Sequence, residues 1–120
     1  MTYSEDWHQQ QAVIWFRNQY SLINSNPYFE ILSIPNDGKN IKEQMRKKNT
    51  GLMSGASDLI IVYPNKQVLW VEMKTPDGKQ SPDQKKFQQR LEKLGHDYIV
   101  CYGFEDFKIK IKKFNDKYIE

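Results

Sequence analysis

Asp58-Leu59-Ile60-Ile61-Val62-Tyr63-Pro64-Asn65-Lys66-Gln67-Val68-Leu69-Trp70-Val71-Glu72-Met73-Lys74 reads as two apolar strands joined by a turn. Leu59 to Tyr63 is rich in β-branched residues, Pro64 to Gln67 carries turn chemistry, and Val68 to Lys74 returns. Strand alternation sorts Leu59, Ile61, Leu69, Val71 and Met73 onto one face and Ile60, Val62 and Trp70 onto the other. Large apolar groups on both faces predict a sheet covered on both sides.

Working outward, Ser81-Pro82-Asp83-Gln84 opens a helix with an N-cap, a proline at N1 and a glutamine at N3. Phe87, Leu91 and Leu94 form its buried stripe, and Gly95 ends it. Asp97 to Tyr102 is a further strand, and a terminal helix starts near Glu105. Upstream, Ser4 caps a helix from about Glu5 to Tyr20, whose inward face carries Gln9, Val13, Phe16 and Tyr20, widened by Ala12 and Ile14. Tyr28 to Ile34 reads as a short strand closed by the turn Pro35-Asn36-Asp37-Gly38. Asn40 to about Asn49 reads as a basic helix without a strong apolar stripe. The predicted order is α-β-α-β-β-α-β-α, a small mixed α/β sheet flanked by helices.

The chain of 120 residues has room for one domain spanning 1–120. Its 38% hydrophobic and 13% aromatic content supports a packed core and argues against disorder. The net charge of +3 is compatible with a polyanionic partner. Lys39, Lys42, Arg46, Lys47 and Lys48 crowd one stretch, and Lys108, Lys110, Lys112 and Lys113 another; either run also reads as a solvated helix face. The single cysteine, Cys101, excludes an internal disulfide and a cysteine-rich zinc site, and its apolar setting reads as a buried thiol. No stretch approaches the roughly 18 apolar residues of a membrane helix, and the first residues do not resemble a signal peptide. A reducing cytoplasm is the expected compartment.

Glu72 and Lys74 share a strand face with Trp70, so a carboxylate and an ammonium project where the neighbours are core residues. Charges there are costly unless paired or bound to an ion. Taken alone, they also read as a strand-end ion pair. Asp58 opens the preceding strand, and a hairpin loop of odd length, a bulge or a bend brings it opposite Glu72 on the same face. A two-residue loop would turn it away. With that condition met, two carboxylates and a strand carbonyl form an oxygen-rich pocket suited to Mg²⁺ or Mn²⁺. Lys74 beside such a pocket can orient water and stabilise negative charge on a phosphodiester under attack. Gln84 has two compatible readings, as capping-box partner of Ser81 or as a side chain aimed toward the end of the Glu72 strand.

Gly55-x-x-Asp58, Glu72-x-Lys74 and Gln84, with Ile34-Pro35-Asn36 upstream and Leu94-Gly95-His96 downstream, resemble the VRR-NUC branch of the PD-(D/E)XK nucleases from about Glu5 to Phe107. The likeness implies a restriction-endonuclease-like core and a hydrolase that cuts DNA with Mg²⁺ or Mn²⁺. Asp58, Glu72 and Lys74 match the family's metal-binding acids and catalytic lysine, and Gln84 matches its helix glutamine. Glu5, four residues before Gln9, matches a further acid. The implied metal ligands are Glu5, Asp58 and Glu72, with the Met73 carbonyl assisting. Ala56-Ser57 stands where the family has glycine-proline.

Stand-alone relatives are phage and bacterial proteins. The resemblance therefore implies branched DNA, four-way (Holliday) junctions among them, a homodimer, and a bacterial or phage-infected host cytoplasm. Trp15, Tyr118 and Ile119 offer apolar material for a dimer interface or for the core. Lys39, Lys42, Arg46, Lys47 and Lys48 are the candidate phosphate grip. The rival readings are a flap-cutting or sequence-specific nuclease of the same fold and a non-catalytic DNA-binding module.

Overall fold

The computed structural model describes residues 2–35, 51 and 55–119. Helix α1 spans Glu5–Tyr20. Ser4 Oγ accepts from the Trp7 N–H at 3.1 Å, and Glu5 and Asp6 sit in the first turn, where a helix favours negative charge. The buried line runs His8, Ala12, Phe16, Tyr20 at strict four-residue spacing, instead of through Gln9 and Val13. Ile14 is 55% exposed. A histidine was the missing mark of that face: His8 Nδ1 is satisfied by the Phe104 N–H, so its ring tolerates burial.

Strand β1 (Glu30–Ser33) pairs antiparallel with β2 (Leu59–Val62), and β2 pairs antiparallel with β3 (Val68–Lys74). Helix α2 (Pro82–Lys93) then carries the chain over to β4 (Asp97–Tyr102), which lies parallel to β3. The sheet order is β1-β2-β3-β4. Helix α3 (Phe104–Asn115) and a 3₁₀ turn (Asp116–Tyr118) end the described chain. Among the described residues this is a mixed four-stranded sheet with three helices. The basic helix expected over Asn40 to Asn49 lies outside them. Among the same residues, no helix is long and apolar enough to cross a membrane.

Sheet coverage is uneven. One face packs Ile31, Leu59, Ile61, Leu69, Val71 and Met73 against Phe16 of α1 and Phe107 and Ile111 of α3. On the other face, Phe87 of α2 covers Tyr98 and Ala56, with Trp70, Leu91 and Val100 around them. This cover stops at β3 and β4: Leu32 of β1 is 46% and Val62 of β2 41% exposed. Among the described residues, the expectation of a sheet buried on both sides therefore holds only for its β3–β4 half, the part that Phe87 of α2 covers. Trp15 packs edge-on against Phe107, and Tyr118 stacks on Tyr63, so both contribute to the core, whereas Ile119 is exposed. Cys101 is fully buried, and burial pushes its thiol up to about 12, which removes the reactive thiolate.

Candidate active site

The hairpin loop decides the site. Val62 pairs with Val68, leaving the five residues Tyr63 to Gln67, closed by the Tyr63 N–H donating to the Gln67 carbonyl at 2.9 Å. Asn65 and Lys66 take positive φ (62° and 65°), a conformation that asparagine tolerates well. Five is odd, and the ladder it sets ends at Leu59↔Val71, with Asp58 on a bend just before β2, beside the end of β3 that carries Glu72.

Asp58 is pinned on three sides. Its N–H donates to the Val71 carbonyl at 3.1 Å, its carbonyl accepts from the Ile34 N–H at 2.8 Å, and its Oδ2 accepts from the Met73 N–H at 2.6 Å. Gly55 explains the approach of the preceding chain. It sits at φ +79°, and a Cβ there would stand 2.4 Å from the Asp83 carbonyl carbon at the start of α2. Only glycine permits that contact.

Glu72 is fully buried. Its Oε1 accepts from the Tyr98 hydroxyl at 2.7 Å and from Gln80 Nε2 at 3.1 Å. Its Oε2 has no hydrogen-bond partner and lies 3.8 Å from Lys74 Nζ, a long ion pair. Gln80 is itself oriented, since its Nε2 also donates to Gln88 Oε1 at 2.8 Å. Neither Tyr98 nor Gln80 was singled out from sequence. The parallel pairing Trp70↔Tyr98 and Glu72↔Val100 puts the Tyr98 hydroxyl on the Glu72 face. Gln84 shows the capping-box reading. Its side chain accepts from the Ser81 N–H at 2.8 Å while its own N–H donates to Ser81 Oγ at 3.2 Å, a reciprocal capping box.

The electrostatics of the acids are coupled. Burial, and then Glu5 and Glu72, push the Asp58 carboxyl up to about 6, against the lowering effect of the Met73 N–H and Lys74. Glu5 is raised by burial, then by Glu72 and Asp6, and lowered by Lys74. Burial and the bond to Glu72 hold the Tyr98 hydroxyl far above neutrality, so it remains a donor. Glu5, Asp58, Glu72 and Lys74 thus share one field. Among the described residues, however, no three His, Cys, Asp or Glu side chains are close enough to enclose a metal unaided. Lys39, Lys42, Arg46, Lys47 and Lys48 lie outside the described residues.

The model of the VRR-NUC domain matches residues 3–105, a span containing all four of these groups. The chain belongs to the VRR-NUC family. That domain is of nuclease type. A solved structure described as a VRR_NUC domain protein superposes with a TM-score of 0.74 at 21% identity, over 96% of this chain and 90% of that one. A second, described as a VRR_NUC domain, gives 0.64 at 19% identity, over 93% of this chain and 99% of that one. At those identities the likeness is one of fold. No curated protein matches the chain.

One prediction arises from the second layer of this VRR-NUC site. Tyr98→Phe keeps the ring that packs on Phe87 and removes only the donor to Glu72. Loss of such an outer partner typically lowers metal affinity or activity about 10- to 100-fold. Titration of the variant with Mn²⁺, followed by cleavage rate, is expected to show a shift of that size without loss of the folded state.

Proposed function

We propose that the chain is a divalent-metal-dependent DNA endonuclease of the PD-(D/E)XK superfamily that hydrolyses phosphodiesters in branched DNA. The observation that carries this reading is Glu72 Oε2, a buried carboxylate oxygen without a hydrogen-bond partner, at the same strand ends as Asp58 and Lys74. A buried anionic oxygen without a donor is costly, and a cation answers that cost.

The residues fit Mg²⁺ or Mn²⁺. Hard oxygen donors suit these ions, and Mg²⁺ commonly keeps several waters and takes phosphate oxygens beside one or two carboxylates, without a closed protein cage. Asp58 and Glu72 would hold the ion, with the Met73 carbonyl and Glu5 as further oxygen donors. When bound, the ion supplies charge stabilisation at the phosphate and a more acidic water. Tyr98 and Gln80 fix the Glu72 carboxylate through Oε1 and leave Oε2 to face the site. The Lys74 ammonium, held beside Oε2, would stabilise the negative charge that builds on the phosphoryl oxygens. A pure DNA-binding module gains nothing from acids facing a polyanion, which favours catalysis over binding alone.

The reading extends to four-way junctions as substrate, to a two-fold dimer that presents two sites to the two strands to be cut, and to a bacterial or phage origin. Incubation with labelled linear, flap and four-way DNA, with Mg²⁺, with Mn²⁺ and in excess EDTA, tests it. Cleavage of the branched forms that stops in EDTA is expected. Cutting of linear duplex at one fixed sequence would replace it with the restriction-type reading. Undiminished turnover in EDTA would remove the metal.

A further inference from the structure

A hollow is lined by the segments that flank Glu5 and Lys74 in the chain. Thr2, Tyr3 and His8 line it from the start of the chain, and Thr75, Pro76 and Asp77 from the loop after β3, around a cavity of about 450 Å³. Tyr3 stands two residues before Glu5, and Thr75 directly follows Lys74.

The lining has a definite chemistry. The Tyr3 ring is 46% exposed yet held flat, stacked on Trp7 with centroids 3.8 Å apart and planes 14° apart. Trp7 in turn meets His8 edge-on at 4.9 Å. His8 Nδ1 accepts from the Phe104 N–H at 2.9 Å, so the neutral ring carries its proton on Nε2 as a donor. The Thr2 and Thr75 hydroxyls can donate and accept, and the Asp77 carboxylate accepts. An acid in the wall disfavours a phosphate, and an aliphatic group would leave the polar atoms unanswered. A flat heterocycle with donors and acceptors around its edge satisfies both requirements, and every base offers a π-face to an ordered aromatic ring.

We infer that this hollow holds one unpaired nucleobase of the DNA, stacked with Tyr3, beside the phosphodiester presented to Asp58, Glu72 and Lys74. The identity of the polymer rests on the nuclease reading above, and the preference for an unpaired base rests on the hollow itself. A base held in a duplex stack cannot enter it, so the site favours flaps, overhangs and other unpaired stretches over intact duplex.

The test uses the full chain, with Ca²⁺ to neutralise the carboxylates, and duplexes that are either blunt or carry a short overhang containing 2-aminopurine. The wild type is expected to bind the overhang more tightly than the blunt duplex and to change the 2-aminopurine fluorescence. Tyr3→Ala, at an exposed position, is expected to weaken overhang binding about tenfold, the size of one lost base–aromatic stack, and to leave blunt-duplex binding unchanged. Tyr3→Phe should behave as the wild type. Equal binding of the overhang by Tyr3→Ala and wild type, or no preference for the overhang in the wild type, overturns the inference. If no DNA is cut in Mg²⁺ or Mn²⁺ while the Tyr3 dependence persists, the nuclease reading falls and the base site stands. If cleavage persists without that dependence, the base site falls alone.

Discussion

Asp58→Ala is expected to abolish DNA cleavage, a loss on the order of 10³-fold or more, because the charge stabilisation an ion provides amounts to several kcal/mol. The fold should survive. The substitution leaves the Met73 N–H without its acceptor, a cost of roughly 1–3 kcal/mol for a buried donor. In the opposite direction, it removes a carboxylate whose ionised form is disfavoured by burial and by Glu5 and Glu72. Circular dichroism and thermal melting of the metal-free variant check this part, and a variant that melts with the wild type but cuts nothing meets the expectation.

The same carboxyl sets a pH dependence. Its pKa in the folded protein, about 6, lies above the ordinary value of 3.8, so folding favours the protonated form. Its contribution to metal-free stability is therefore fully present below the ordinary value and is lost as pH rises through about 6. Cation binding needs the ionised form, so cleavage should follow the reverse course and fall as pH drops below about 6. Asp58→Asn should flatten that part of the metal-free stability profile. An unchanged profile in the variant would assign the effect to another group.

Lys74→Ala is expected to separate chemistry from binding. Lys74 is buried beside Glu72 Oε2 at the end of β3, where one ammonium is a small part of any DNA-binding surface. Its loss should lower the single-turnover rate by about 10²- to 10³-fold, the usual cost of removing one group aimed at developing charge. DNA affinity in Ca²⁺ should change little, which marks an interaction made chiefly in the transition state. A variant that keeps its rate and loses affinity would instead place Lys74 in the phosphate grip.

The apolar hairpin, the capped helix at Ser81 and the strand Asp97–Tyr102 were legible in the sequence, because each is specified by local chemistry: β-branched runs, an N-cap with proline, and an apolar run after a glycine stop. The approach of Asp58 to the end of β3 was legible only as a condition, met here by a bend before β2, since the turn residues Pro64 to Gln67 allow more than one loop length. Tertiary contacts decided the rest. The inward face of α1 turned on His8, polar in sequence but satisfied by Phe104, which lies far along the chain. Tyr98 and Gln80 reach Glu72 from a parallel strand and from the loop before α2, and no spacing rule announces such a meeting. The exposure of Leu32 and Val62 depended on which strands α2 covers, which hydrophobic alternation does not encode.

The five-residue connection between β2 and β3 also limits how this chain can change in length. Adding or deleting one residue between Tyr63 and Gln67 while the strands stay paired exchanges the two faces of β2. Leu59 and Ile61 would leave the core, and the Asp58 carboxylate would lose its bond from the Met73 N–H. A change of two residues restores the alternation and needs only a different turn. An insertion series at Asn65 should therefore alternate, with one-residue insertions inactive and destabilised and two-residue insertions folded and active. The hairpin tip, an exposed place where length variation is ordinarily harmless, would here accept insertions only in even numbers.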